Sequence, residues 1–373
     1  MTQNSMPKVM KETRNKIRVE FDRTPLKERL MAKFVSLFFL KKVVWFIFRL
    51  ILLIGISYVI LFPFITKIAG SFMPPDDFVD VTVRLIPRSP NLDIYKAIWE
   101  ENFYLEAFGN TLLLSGSSAL IQTFVCCLIG YGLAKFKFKG NKWVFAAVIF
   151  TMVVPHQTLQ LSMFMNFRYF DILGIFQFLN GGGISIFGLD INNAFFSAID
   201  IFPEAEEGFW TRFTTSGIKL TDSYMPLIVL SLGGLAFKNG LYIFMLRQFY
   251  QGVPDELEES AYMDGSGTFR TFLQIILPLS IPMMITVFLF AFCWQWTDDF
   301  YTNFFFPTGE TILMPDVVEI PDSLRLEGHA AWNFYSSAIR NTCGLMIIAP
   351  LVVLYCFGQK FLIQGIESSG LAN

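Results

Sequence analysis

The sequence predicts an all-α polytopic membrane protein with six transmembrane helices. Of its 373 residues 53% are hydrophobic and 16% charged, against roughly 25% charged in ordinary soluble proteins. The 43 phenylalanines are spread along the chain and not gathered in one core. Six stretches, 43–66, 111–134, 143–165, 224–246, 277–297 and 335–357, each supply the run of about twenty apolar residues that a bilayer-crossing helix requires. The same figures exclude a disordered, collagenous or nucleic-acid-coating chain, and a net charge of -2 gives no general attraction to polyanions.

Residues 1–42 form a basic cytoplasmic segment with 11 Lys/Arg. Within 11–34, Ile17, Val19, Phe21, Leu26, Leu30 and Phe34 alternate with charge, which fits either an amphipathic helix on the anionic inner leaflet or a solvated tail. No cleavable leader precedes the first apolar run. Span 43–66 carries Arg49 near its start, within snorkelling reach of the interface. Residues 67–107, with Pro74-Pro75, Pro87 and Pro90 among acids, read as an ordered extracytoplasmic loop. The core, 108–357, holds the other five spans. Segment 166–222 is longer than a usual helix connection, and its Gly181-Gly182-Gly183 followed by Ile184-Ser185-Ile186-Phe187 points to short strands or turns. Lys238 interrupts span 224–246, where an ionisable residue should face the bundle interior or a wet cavity unless it snorkels. Residues 358–373 form a cytoplasmic tail.

Charge orients the spans. Residues 1–42, 135–142, 247–270 and 358–373 together hold 18 Lys/Arg, whereas 67–107, 166–222 and 298–340 hold nine Lys/Arg and 21 Asp/Glu. The positive-inside rule then places both termini in the cytoplasm of a multi-pass cell-membrane protein. The five cysteines lack any CxxC pairing and sit in apolar runs, as buried thiols do.

The segment 253–278 carries the functional signal. Pro254 suits the first turn of a helix, and Asp255, Glu256, Glu258 and Glu259 favour its positive end. Asp264-Gly265 marks a turn that uses positive φ. A second helix is expected to present Phe269, Phe272, Leu273 and Ile276 on one face. A short helix, a turn and an amphipathic helix at the cytoplasmic surface make a docking element, the alternative being a loop that packs only on its own bundle.

The run Glu259-Ser260-Ala261 through Asp264-Gly265, followed by Leu277-Pro278 and Pro282, resembles the EAA loop of ABC importer permeases. The second alanine position of the motif is Ser260, a small-for-small change. Pro63-Phe64, Ser71-Phe72-Met73-Pro74-Pro75, Pro87-Arg88-Ser89-Pro90-Asn91-Leu92, Tyr95, Asn110-Thr111-Leu112-Leu113, Gly132-Leu133-Ala134-Lys135-Phe136, Lys139-Gly140 and Gln359-Lys360 with Ile363 and Gly365 resemble the carbohydrate branch, in the manner of the second membrane subunit of the maltose importer. The resemblance implies a type I importer permease bundle in which 253–278 is the coupling loop. Glu258, Glu259, Ala261, Asp264, Gly265, Leu277 and Pro278 would then meet or position the ATPase. It also implies four kinds of partner besides membrane lipid: a second permease, two ATP-binding subunits, an extracytoplasmic solute-binding protein and a sugar or oligosaccharide substrate. Two departures stand out. Residues 172–222 look like an extracytoplasmic insertion, acidic and aromatic enough to be either a structural cap or a docking surface, and Trp296-Thr297-Asp298-Asp299-Phe300 replaces the usual Trp-Asn-acid-Phe.

No GxxxxGK[ST] loop, HExxH motif or Cys/His cluster occurs. The chain is therefore expected to be no enzyme, with no catalytic or metal residues and no cofactor of its own, while ATP and Mg are used by the partner ATPase subunits. Substrate-path candidates are His156 and Gln157 beside Pro155, Lys238 and Asn239, and Trp294, Gln295, Trp296 and Asp298 at the outer end of span 277–297. Aromatic rings stack on sugar C–H faces, but an interfacial aromatic belt has the same composition. The expected function is the permease subunit of an ATP-driven, binding-protein-dependent sugar importer. The alternatives are an ABC permease for a non-sugar solute and an ion-coupled carrier; the latter lacks its usual buried acids here.

Overall fold

The computed structural model describes residues 9–12, 18–21, 37–168, 170, 184–186, 189–191, 220–326 and 328–368. The chain divides into two units, Met1–Ala69 and Gly70–Asn373.

In the first unit β1 (Val9–Glu12) pairs antiparallel with β2 (Arg18–Phe21), Val9 opposite Phe21 and Lys11 opposite Val19. Arg18-Val19-Glu20-Phe21 alternates charged and apolar residues with the period of a strand. At these positions the helix considered over 11–34 gives way to a hairpin. Helix α1 (Leu37–Gly70) follows, starting before the expected 43–66 and continuing through Pro63. Its stretch Lys41–Gly70 is 30 residues of strongly apolar helix, long enough to cross a bilayer.

The second unit is a helical bundle built on α3 (Tyr104–Lys135), which α2 (Asp93–Glu101) precedes. Helix α3 packs against α7 (Asn239–Gly252) and α10 (Leu277–Trp296), and α10 packs against α12 (Trp332–Ser368). Their buried core includes Ile98, Tyr242, Leu246, Met283, Val287, Trp296 and Ile339. Two glycines set the spacing. A Cβ on Gly130 would lie 2.9 Å from the Leu246 Cβ and 3.1 Å from the Arg247 backbone nitrogen, so α3 and α7 meet nearly backbone to backbone. A Cβ on Gly358 would stand 2.6 Å from Leu289 Cδ1, so the Leu289 side chain of α10 packs over the bare backbone of α12 there. Residues 358–368 of the expected tail continue the last helix to Ser368.

Pro350 lies inside α12 and removes the N–H that would bond the carbonyl four residues back. That carbonyl belongs to Met346, and it accepts the Tyr104 hydroxyl at 3.0 Å. The neighbouring Ile347 carbonyl accepts the indole N–H of fully buried Trp296, also at 3.0 Å. Two side chains from α3 and α10 thus hold the weakest turn of the longest helix.

All six apolar segments are helical where the sequence places them, but two are broken. Segment 143–165 becomes α4 (Asn141–Val153) and α5 (Gln160–Arg168), with a short turn at His156–Leu159. Pro155 removes a helix hydrogen bond and crowds the preceding turn, Val154 is extended before it, and the chain bends by 93°. Segment 224–246 becomes α6 (Met225–Leu232) and α7, separated by Gly233–Lys238, where Gly234 and Lys238 have φ of +69° and +66°. Among the described residues four helices therefore meet the length and composition of a span, or five with the bent pair α4–α5.

Of the expected insertion at 172–222, the antiparallel hairpin of β3 (Ile184–Ile186) and β4 (Leu189–Ile191) and residues 220–222 are described. The remainder of that expectation lies outside the described residues.

Candidate functional site

The segment 253–278, expected to be the coupling loop, opens with a capped helix tied to the end of α3. Helix α8 (Glu256–Met263) begins after Pro254 and Asp255, with Glu256, Glu258 and Glu259 in its first turn. It ends at Gly265, whose φ of +81° reverses the chain. The Gly265 N–H donates to the Tyr262 carbonyl at 3.0 Å and the Ser266 N–H to the Ala261 carbonyl at 2.9 Å, the paired bonds of a Schellman C-cap. Ala261 and Glu258 are buried, while Glu259 and Asp264 point outward.

Lys135, the last residue of α3, ties this segment down. Its amine donates to the Val253 carbonyl at 2.7 Å and to the Asp255 carboxylate at 2.5 Å. The lysine side chain is 7% exposed and the aspartate 75%. The bonds and charge of Lys135 hold the Asp255 carboxyl below the usual range. Burial pushes the Glu258 carboxyl up, against the opposing Lys135 charge and Tyr131 hydroxyl. In the sequence Lys135 stands out only as part of a resembling run and of the positive-inside count. The signal that could have found it is a single lysine ending an apolar span with an acidic helix start still to be anchored. Lys135→Ala should leave the protein in the membrane but free residues 253–267; the charge-assisted bond to the Val253 carbonyl is worth about 1.5–3 kcal/mol, and the exposed Asp255 pair adds little. Faster backbone hydrogen exchange confined to that segment is the expected result, and unchanged exchange would refute the anchoring role.

The second helix of the segment differs from expectation. α9 (Thr268–Thr271) passes through a π turn, Phe272–Ile276, directly into α10. The Leu277 N–H reaches the Phe272 carbonyl, five residues back, and Pro278 supplies no N–H after it. The wider turn splits the expected face: Phe272 and Ile276 are buried, while Phe269 and Leu273 are 72% and 40% exposed. Leu257 and Met263 of α8 are likewise 42% and 88% exposed. Leu277 and Pro278 sit at the base of α10, where they begin the span.

At the opposite end of α10 a small cavity of about 10 Å³ is lined by Gln122, Phe237, Ala291, Trp294, Gln295, Asp298 and Tyr301, room for about one water molecule. The Lys238 amine lies 4.6 Å from the Phe237 ring centre and 4.9 Å from that of Trp294. Lys238, Trp294, Gln295 and Asp298 are thus brought together from two separate segments. Asp298 accepts the N–H of Tyr301, in α11 (Phe300–Phe305), at 2.8 Å, and burial pushes its carboxyl up to about 6. Asn239 is buried against α3, its backbone carbonyl accepting the Cys126 thiol. Trp296 faces the core and serves packing. Gln157 lies elsewhere, in a cleft of about 730 Å³ with Phe164, Asp299 and Phe304; His156 occupies the adjacent turn.

A multi-pass helical membrane protein with a clamped, outward-facing helix–turn at one end and an interrupted span beside a polar cavity at the other has the build of a transporter's membrane subunit. The chain belongs to the family of binding-protein-dependent transport system inner membrane components, which matches residues 127–323. It is 24% identical over 323 residues to the arabinooligosaccharides transport system permease protein AraQ of Bacillus subtilis, covering 85% of this chain and 92% of that one. The galactooligosaccharides transport system permease protein GanQ of the same organism is 23% identical, with 87% and 94% covered. The alpha-glucoside transport system permease protein AglG of Rhizobium meliloti is 26% identical, with 75% and 60% covered. In fold the chain is similar to a bacterial ABC transporter involved in import of the acidic polysaccharide alginate, with a TM-score of 0.57 at 15% identity, covering 91% of this chain and 99% of that one.

Proposed function

We propose that this chain is the membrane permease subunit of an ATP-driven importer of sugars or oligosaccharides and itself catalyses no reaction. It would pair with a second permease, two ATPase subunits and an extracytoplasmic binding protein, with both its termini cytoplasmic. The observation that carries the reading is the segment 253–273, a capped helix held by Lys135, in which Leu257, Met263, Phe269 and Leu273 are exposed as well as Glu259 and Asp264. Apolar anchors with a charged rim suit a protein partner, and the family supplies its kind. Closure of the ATPases would then push on 253–267 and rock the helices that this segment joins. The arabinooligosaccharide, galactooligosaccharide and alpha-glucoside systems of the relatives support an oligosaccharide as cargo, and the acidic, aromatic 172–222 segment suits contact with the binding protein or the second permease.

The test is transport-coupled ATP hydrolysis in proteoliposomes holding the complete complex. Binding protein loaded with an arabino-, galacto- or galacturonate oligosaccharide should stimulate hydrolysis, and Glu259→Lys, a surface charge reversal, should suppress that stimulation roughly tenfold while the subunit stays in the membrane. Uptake driven by an ion gradient without ATP would overturn the reading, as would full stimulation of the Glu259→Lys complex.

A further inference from the structure

We propose that Lys238, Trp294 and Gln295 form a subsite for an anionic group of the transported saccharide, the carboxylate of an acidic sugar ring. The inference rests on the sugar-import reading above and names its substrate class.

Three observations converge on it. Lys238 stands in the break between α6 and α7 with its amine over Phe237 and Trp294, and among the described residues no carboxylate lies within 4.0 Å of that amine. Its backbone φ of +66° does not call for a lysine, because glycine or asparagine holds that conformation with less strain. What the side chain adds is a positive charge in an otherwise apolar segment. Lys238 is also the residue from which α7, a helix of 14 residues, starts, and the N-terminal dipole of that helix favours the same sign of ligand.

The second observation is Gln295. It is 9% exposed, lines the small cavity, and its Nε2 donor has no hydrogen-bond partner. A buried amide donor without an acceptor is costly, and an incoming carboxylate or hydroxyl oxygen would satisfy it. The third is Trp294, 48% exposed at the cavity mouth. The cavity admits only a group of about water size. One oxygen would enter it while the sugar ring stays outside, its C–H face on the Trp294 indole and its charge on the Lys238 ammonium. Asp298 lines the same cavity, its Oδ2 accepting the Tyr301 N–H; as a carboxylate it repels an incoming anion, so the Lys238 charge and the Gln295 donor must outweigh it.

The experiment uses the complete transporter in nanodiscs, titrated calorimetrically with trigalacturonate and with neutral maltotriose. The wild type should bind the acidic trimer roughly tenfold more tightly than the neutral one, with a preference that weakens as salt rises. Lys238→Gln should erase the preference by weakening only the acidic trimer, Lys238→Arg should keep most of it, and Trp294→Ala should weaken both. Equal binding of the two trimers by the wild type, or binding of neither, overturns the subsite. So does loss of the second permease from the purified Lys238→Gln complex, which would make Lys238 an interface residue. Binding-protein-stimulated ATP hydrolysis is measured on the same sample. If hydrolysis is stimulated without acidic preference, the subsite fails and the importer reading stands. Acidic preference without stimulation supports the subsite and counts against the importer reading.

Discussion

Gly265→Val should uncouple the transporter while leaving the subunit folded in the membrane. The residue sits at φ +81°, where an L side chain costs about 1–2 kcal/mol and a β-branched one sits poorly. A Cβ added there meets nothing within 4 Å, so the effect is conformational and not a clash. Losing the turn frees the bonds from Gly265 and Ser266 back to Tyr262 and Ala261, and α8 loses the cap that fixes its exit. The exposed side chains of Leu257, Met263 and Phe269 would no longer match a rigid partner. Stimulated ATP hydrolysis should fall at least about tenfold if the misplaced turn costs the docking as little as 1.4 kcal/mol. Gly265→Ala should be milder, and Gly265→Asn should recover most activity, because asparagine tolerates the left-handed region. Equal activity of the Val and Asn variants would show that the backbone conformation at 265 is not what coupling depends on.

Trp296→Ala should produce the largest loss of stability. The indole is fully buried, stacks on Phe292 at 5.5 Å and meets Phe108 edge-on at 5.4 Å. It also donates to the Ile347 carbonyl of α12. Truncating such a side chain costs about 3–5 kcal/mol through lost burial and the cavity left behind. Trp296→Phe keeps an aromatic ring but removes the indole N–H, a loss of about 1 kcal/mol. Thermal unfolding in detergent should therefore rank the wild type above Phe and Phe well above Ala. A Trp296→Ala protein that melts with the wild type would contradict the pinning of α10 to α12.

The sequence alone determined the class of protein and the helix and turn at 256–265. Twenty-residue apolar runs need a bilayer to be stable, so the class is readable by counting. The turn at Asp264-Gly265 is legible for the same local reason: positive φ selects glycine whatever surrounds it. Pro155 likewise carries its own break, although the length of the apolar run concealed it. The gap between α6 and α7 was harder to read, because Gly233-Gly234 is tolerated in many helices and hydropathy does not register it. Only the tertiary structure decided which polar residues share a site. Lys135 meets Asp255 across 120 residues of sequence, and Lys238 meets Trp294 from a different helix. It also separated Trp296 from Trp294, two residues apart on one helix: a rotation of about 200° sends one indole into the core and the other to the cavity mouth. Composition describes what a segment can bury, but the partner of a side chain is fixed by how helices pack, and that packing depends on small residues such as Gly130 and Gly358 whose meaning appears only when a neighbouring helix lies against them.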